Sequence, residues 1–253
     1  MKLPALVSTL IGVPHGFFGR AGGVSSAPFD TLNASLTSGD AEDAVEQNRD
    51  RVARALGAAQ VLTARQVHSA RAVLVSEPFA AAERPEADAL VTRVPGLAIG
   101  ALAADCVPVL IEGPGLVAAI HAGWRGSLAG IVGSTVELLA REGAARTDLR
   151  AAIGPCLRRG SFEVRADLVD RVVARHPDAE RHFTGCAPGQ WLYDHVAFIV
   201  DRLLEAGLPR EGIDDVGGDT LSESQRFFSY RGAQRAGLRS FGHNISAIAL
   251  PAG

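Results

Sequence analysis

Leu116-Val117-Ala118-Ala119-Ile120-His121-Ala122-Gly123-Trp124-Arg125-Gly126 carries the chain from an apolar strand, through a glycine-bracketed turn, to the start of a helix. Working outward, Ala87 to Ala122 reads as a meander of short strands at 89–92, 97–103, 107–111 and 116–121. Its turns are Pro95-Gly96 and Gly113-Pro114-Gly115. Further strands are expected at 61–68, 71–76, 149–153, 227–230 and 245–250. Helices are expected at 40–56, capped by Asp40, and at 126–141, 166–175 and 191–206. In the last, Leu192, Val196, Ile199 and Leu203 recur at helical spacing. Adjacent short strands with helices between and after them predict α+β layers, rather than a regular alternation of strand and helix.

The chain of 253 residues has room for one large domain or two fused small ones, and no low-complexity linker divides it; residues 1–253 read as one domain. Its composition is 47% hydrophobic and 21% charged, and its formal net charge is -3 without a block of like charges, which argues against a nucleic-acid footprint or a polybasic membrane patch. Asp105, Pro108, Glu112 and Pro114 interrupt the most apolar region, so no membrane span is expected, and the N-terminus reads as mature protein. Three cysteines (Cys106, Cys156, Cys186) are not a disulfide framework and fit a reducing compartment, with the cytoplasm as the default. The expected oligomeric state is a monomer.

His121 stands at a strand end, where tight loops display reactive side chains. Upstream lie Asp105-Cys106 and Gln66-Val67-His68. Two imidazoles and a thiol are a donor set that suits zinc, and three protein ligands leave a position for water or substrate. Taken singly, each residue has a plainer reading: His121 a hydrogen-bonded core histidine, Cys106 a small buried hydrophobe, Trp124 a packing residue. The three together favour the metal reading, while a Cys106 nucleophile with His121 as its base stays open. Asp105, a carboxylate in an apolar run, needs a partner and could orient a ligand histidine. Arg125 between two glycines suits an anion, and with Arg20 in the turn Phe18-Gly19-Arg20-Ala21-Gly22-Gly23 would form an anion clamp. Trp124, and the aromatic residues near Phe17, could stack a planar ligand. His15 beside Gly16-Phe17-Phe18 is a weak pocket candidate, and Asn33 is a weaker polar contact. His176, His182 and His195 read as surface or packing residues. The zinc deaminase signature and the nicotinamide glycine fingerprint are both absent.

The order of these motifs resembles the YfiH-type family, also called the laccase-domain or polyphenol oxidase family. The resemblance rests on His15-Gly16-Phe17-Phe18-Gly19-Arg20, Val24-Ser25, Asn33, Gly39-Asp40 and Asn48-Arg49. It continues through Gln66-Val67-His68, Ala87-Asp88-Ala89, Asp105-Cys106, His121-Ala122-Gly123-Trp124-Arg125-Gly126 and Ile153-Gly154-Pro155-Cys156. Phe162-Glu163-Val164 and Phe227-Phe228-Ser229-Tyr230-Arg231 complete it. The resemblance implies an α+β fold with layered mixed β-sheets flanked by helices, similar to that of the cytotoxic necrotizing factor catalytic domain, a cysteine hydrolase, and a metal on His68, Cys106 and His121. It implies phosphorolysis of purine nucleosides (adenosine, inosine, methylthioadenosine) with zinc, together with adenosine deamination. Its substrates would then be a purine nucleoside and phosphate. Arg20, Arg125, His15 and Asn33 would serve binding, and Cys106, His121 and Asp105 catalysis. Copper-dependent phenol oxidation and editing of peptidoglycan precursors are the alternatives. The chain departs from the family pattern at Gly232 after Arg231, at Gly242-His243, and at Gly218-Asp219-Thr220, where a cysteine is common.

Overall fold

The computed structural model describes residues 3–252. In chain order its strands are β1 (Ala5–Leu6), β2 (His15–Phe18), β3 (Gln60–Thr63), β4 (Ala72–Val75), β5 (Ala89–Thr92), β6 (Leu97–Ala103), β7 (Val107–Gly113), β8 (Leu116–Ala122), β9 (Arg150–Ile153), β10 (Glu163–Arg165), β11 (Phe183–Ala187), β12 (Gln190–Tyr193), β13 (Ile213–Asp215) and β14 (Asn244–Ala249). The α-helices are α1 (Glu42–Ala55), α2 (Trp124–Ala129), α3 (Ile131–Arg141), α4 (Ala166–Arg175), α5 (His195–Glu205) and α6 (Tyr230–Arg235). The architecture is α+β. A five-stranded mixed sheet, β1-β2-β14-β6-β3, faces a six-stranded mixed sheet, β13-β9-β7-β8-β5-β4. A three-stranded antiparallel sheet, β10-β12-β11, stands apart.

Strand alternation explains the layering, because successive side chains point to opposite faces. From β7, Val109 and Ile111 pack outward with Ile131, Val136 and Leu139 of α3 and Phe198 and Ile199 of α5. Leu110 points inward, with Val117 and Ala119 of β8, to meet Leu62, Ile99 and Ile248 of the five-stranded sheet. That sheet's other face carries Val61, Ala98 and Ile245 against Val52 of α1. β7 and β8 are buried on both faces over nearly their whole length and are largely apolar for that reason.

The expected meander is divided between two layers. β5, β7 and β8 share the six-stranded sheet, whereas β6 crosses to the other sheet and pairs with β14 and β3. The expected strand 61–68 ends at Thr63, and the chain crosses between sheets before β4; His68 lies on that crossing. The helix expected at 126–141 is two helices, α2 and α3, broken at Gly130 with φ +99°. Residues 190–193 form a strand, and α5 starts only after Asp194, whose carboxylate accepts the Ala197 N–H at 3.0 Å. The 227–230 segment is not a strand: Ser229 caps α6 by accepting from Gly232 N. Asp40 does not cap α1, whose N-cap is Ala41; its carboxylate accepts instead from Ser25, Asn33 and the Ala41 N–H. Among the described residues no helix is long and apolar enough to cross a membrane.

Candidate metal centre

Three chain segments meet at one end of the paired sheets. His121 is the penultimate residue of β8 and is 4% exposed. By alternation from Ile120, which faces the helices, its ring points between the sheets. Cys106 immediately precedes β7, and His68 projects from the crossing between β3 and β4. Their donor atoms lie within 4.8 Å of one another, with Cys106 Sγ 3.9 Å from His68 Nε2. The two imidazoles are edge to face, centroids 4.9 Å apart. His68 (φ +59°) and Asp105 (φ +94°) both occupy the left-handed region, which side chains other than glycine rarely adopt. Such conformations persist where surrounding contacts impose them, and here they flank two members of the cluster.

Asp88 supplies those contacts at His68. Its carboxylate accepts His121 Nδ1–H at 2.8 Å, the backbone N–H groups of Val67, His68 and Ser69 at 3.3, 3.0 and 2.6 Å, and the Ser69 hydroxyl at 2.8 Å. Burial alone would raise its pKa, but the bonds from His121 and Ser69 outweigh it and hold the group at about 2. With Nδ1 committed to Asp88, His121 presents Nε2 to Cys106 and His68. Burial pushes the Cys106 thiol up, yet the adjacent His121 and His68 pull it well below its ordinary value. Burial depresses His121, and the Cys106 sulfur and Asp88 raise it above the ordinary imidazole range. The cluster therefore favours a thiolate beside a cationic His121, or beside imidazoles bound to a metal. A soft sulfur, two imidazole nitrogens and a carboxylate fixing one ring form a donor set that fits zinc or copper.

Two cavities open onto the cluster. One, of about 450 Å³, is lined by His68, Cys106 and His121 with Tyr230, Phe241 and His243. The other, of about 560 Å³, shares His68, Cys106 and Tyr230 and extends past Trp124, Arg125 and Phe162 to His195. Gly123 faces the cluster; a Cβ there would sit 2.7 Å from His68 Cδ2 and 3.1 Å from Cys106 Sγ.

Asp105 lines the second cavity, whereas Arg20, Phe17, His15 and Asn33 line neither. Asp105 does not orient a histidine: its carboxylate accepts from Thr220 Oγ1 (2.7 Å), Ser229 Oγ (2.6 Å) and Arg231 N (2.6 Å), tying the segment before α6 to the thiol-bearing turn. Arg20 lines neither cavity. It is bound to Asp30 and to the Ser224 carbonyl and stacks on Phe228, so the clamp with Arg125 is not formed. Phe17 is buried in the core between the sheets. His15 accepts from Ser8 N and contacts the Val13 carbonyl, away from both cavities. Asn33 is fully buried and braces Ser35, Ser38, Asp40 and the His243 N–H. Arg125 and Trp124 are at the second cavity, the guanidinium 4.2 Å above the indole. Of the histidines expected at the surface or in packing, His195 and His182 are buried. Asp88 could have been found by the argument applied to Asp105: an acid in the apolar run 87–91 needs a partner.

Comparison with known proteins agrees with this geometry. Residues 14–251 match the family model described as multi-copper polyphenol oxidoreductase laccase. A purine nucleoside phosphorylase of Xylella fastidiosa (strain 9a5c) is 38% identical over 244 residues, covering 92% of this chain and 88% of that protein. Purine nucleoside phosphorylase SCO2081 of Streptomyces coelicolor is 36% identical, covering 88% and 91%. YlmD from Geobacillus stearothermophilus superposes with a TM-score of 0.87 at 30% identity, covering 98% and 100%. Bacillus licheniformis YfiH does so with a TM-score of 0.84, also at 30% identity, covering 93% and 92%. The chain belongs to this laccase-domain family, the YfiH family.

Proposed function

We propose that the protein is a purine nucleoside phosphorylase acting on adenosine, inosine and methylthioadenosine, with adenosine deamination as a second activity of the same centre. The observation that carries this reading is the His68–Cys106–His121 cluster, placed between two cavities of nucleoside size and braced by Asp88. The names of the Xylella and Streptomyces relatives support it.

His68, Cys106 and His121 would hold zinc, which when bound supplies Lewis-acid charge to an oxygen in the cavity. Asp88 keeps the proton of His121 on Nδ1, away from the donor face. Arg125 and Arg231, both at the larger cavity, hold phosphate and screen the charge that develops during transfer. A phosphate oxygen forms the new bond to the sugar C1′ as the bond to the purine nitrogen breaks, and the departing base takes the electron pair and a proton. Trp124 and Phe162 offer flat apolar walls for the base.

Copper-dependent phenol oxidation is a second reading, favoured by the description of the family model and by the suitability of a His2Cys set for copper. Reducing oxygen fully takes four electrons, and among the described residues one cluster of metal-holding groups is formed. The deciding experiment measures metal content, then base release from adenosine and inosine with and without phosphate, beside phenol oxidation. Phosphate-dependent release of base by zinc-loaded protein is the expected result. Protein with stoichiometric zinc that releases no base overturns the reading.

A further inference from the structure

His195 opens α5 at the inner end of the larger cavity and is 2% exposed. Its Nε2 lies 3.0 Å from Ser127 Oγ, and that hydroxyl lies 3.0 Å from the Gly123 carbonyl oxygen. A carbonyl only accepts, and a serine hydroxyl has one proton to give. Both contacts are satisfied together when Ser127 donates to Gly123 and His195 donates from Nε2. That arrangement leaves Nδ1 with a lone pair and no proton. Nδ1 makes no hydrogen bond among the described residues and is not sealed from the cavity, so it stands open to a donor there. Burial holds the imidazole neutral, with a pKa of about 3, so this acceptor persists across the physiological range.

The surroundings indicate what it accepts from. The Phe162 centroid is 6.1 Å from that of His195, tilted 58°, and Trp124 and Leu168 line the same cavity. A flat heterocycle packed on Phe162 brings its edge to the imidazole. Resting on the phosphorylase reading above, we infer that His195 is a specificity residue whose Nδ1 accepts a hydrogen bond from an N–H on the purine base, either the 6-amino group of adenosine or N1–H of inosine. The relay through Ser127 to Gly123 ties this contact to the turn that faces the cluster.

Two variants separate this role from a structural one. In H195Q the side-chain amide can still donate to Ser127 but leaves nothing at the Nδ1 position. In H195N an oxygen takes the Nδ1 position while the Ser127 bond is lost. Binding of adenosine, inosine and purine riboside is measured by calorimetry on metal-loaded protein, with melting temperature as the check on folding and base release followed in parallel. H195Q is expected to weaken adenosine and inosine about tenfold, the usual worth of one buried hydrogen bond. Purine riboside, which has no N–H at this edge, should bind wild type and H195Q equally. H195N should stay within about threefold of wild type for all three ligands. In the unmutated protein, the Nδ1 nitrogen resonance should move upfield when inosine binds, a readout that does not need the variants to fold. H195Q weakening all three ligands alike, or none, overturns the inference, as does an unmoved resonance in inosine-saturated protein. Binding without phosphate-dependent base release overturns the phosphorylase reading alone, and the variant comparison still decides the role of His195. A wild-type protein that binds no nucleoside overturns both.

Discussion

Asp88→Asn is the most informative single-atom change the structure offers. The carboxylate is enclosed, with a side-chain exposure of 0%. Oδ1 accepts from His121 Nδ1 and His68 N; Oδ2 accepts from Ser69 N, Ser69 Oγ and, at 3.3 Å, Val67 N. An amide nitrogen at the Oδ2 position confronts two backbone N–H groups, and only the Ser69 hydroxyl can turn round to accept. Leaving buried donors unpaired costs about 1–3 kcal/mol each, so the metal-free protein should lose about 2–6 kcal/mol. In the other amide orientation the NH2 faces His121 Nδ1. It then drives the ring proton to Nε2, the nitrogen that faces Cys106 and His68, and a protonated nitrogen cannot ligate. Zinc affinity should fall about 10- to 100-fold, the usual consequence of losing a carboxylate that orients a ligand histidine. Chelator competition reads the affinity, and urea unfolding of metal-free protein reads the stability. A D88N protein that holds zinc within twofold of wild type and unfolds at the same urea concentration would refute the claim that Asp88 assembles the centre.

Gly123→Ala places a methyl group 2.7 Å from His68 Cδ2 and 3.1 Å from Cys106 Sγ, so metal occupancy should fall at least tenfold while the melting temperature of the metal-free protein changes by only a few degrees; metal analysis after dialysis checks this. Asp105→Ala removes the acceptor for Thr220, Ser229 and Arg231 at a cost of about 2–4 kcal/mol, and residues 219–234 should show faster amide exchange than the sheets; uniform exchange across the chain would argue against the tie. His195 and His243 are held neutral, mainly by burial, at about 3 and about 4, below the ordinary imidazole value of 6.5. The unfolded chain therefore binds protons that the folded one refuses. The stability these groups contribute is complete above pH 6.5 and drains as pH falls toward 4, by up to about 1.4 kcal/mol per pH unit for each histidine. Urea unfolding between pH 4.5 and 7 should show a slope shallower by about that amount in H195Q, and an unchanged slope would mean His195 is not buried neutral.

The layers were legible because periodicity is a local property, but the assignment of strands to sheets was not. β6, β7 and β8 are all apolar, and nothing in Leu97–Ala103 says that it pairs with β14 more than 140 residues later instead of with its chain neighbour. Helix limits failed where one residue outweighed the pattern. Gly130, at φ +99°, breaks a stretch whose apolar spacing is otherwise continuous. The Asp194 cap starts α5 two residues after Leu192, which keeps the helical spacing but belongs to a strand. The aromatic run Phe227-Phe228 has strand propensity, yet it packs inward from a loop because Ser229 begins a helix.

The candidate centre shows the same division between what a side chain is and what surrounds it. Each member of the triad sits at or beside the end of a strand-like run, so its chemistry could be read from its type and place. Which of two acids supports the triad could not be read, because Asp88 and Asp105 pose the same problem in sequence: a charge among small apolar residues that must find partners. Folding resolves the two oppositely. Asp88 lies one residue before β5 and across from the β3–β4 crossing, so it collects the N–H groups of His68 and its neighbours together with the ring of His121. Asp105, on the turn between β6 and β7, faces the segment before α6 and spends both oxygens there. Exchanging the two roles would leave His121 Nδ1 without an acceptor and α6 without its tie to the thiol-bearing turn. The proton position on His121, and with it the ability of Nε2 to ligate, is therefore set by which sheet carries each acid, a property of the topology that no local stretch of the chain expresses.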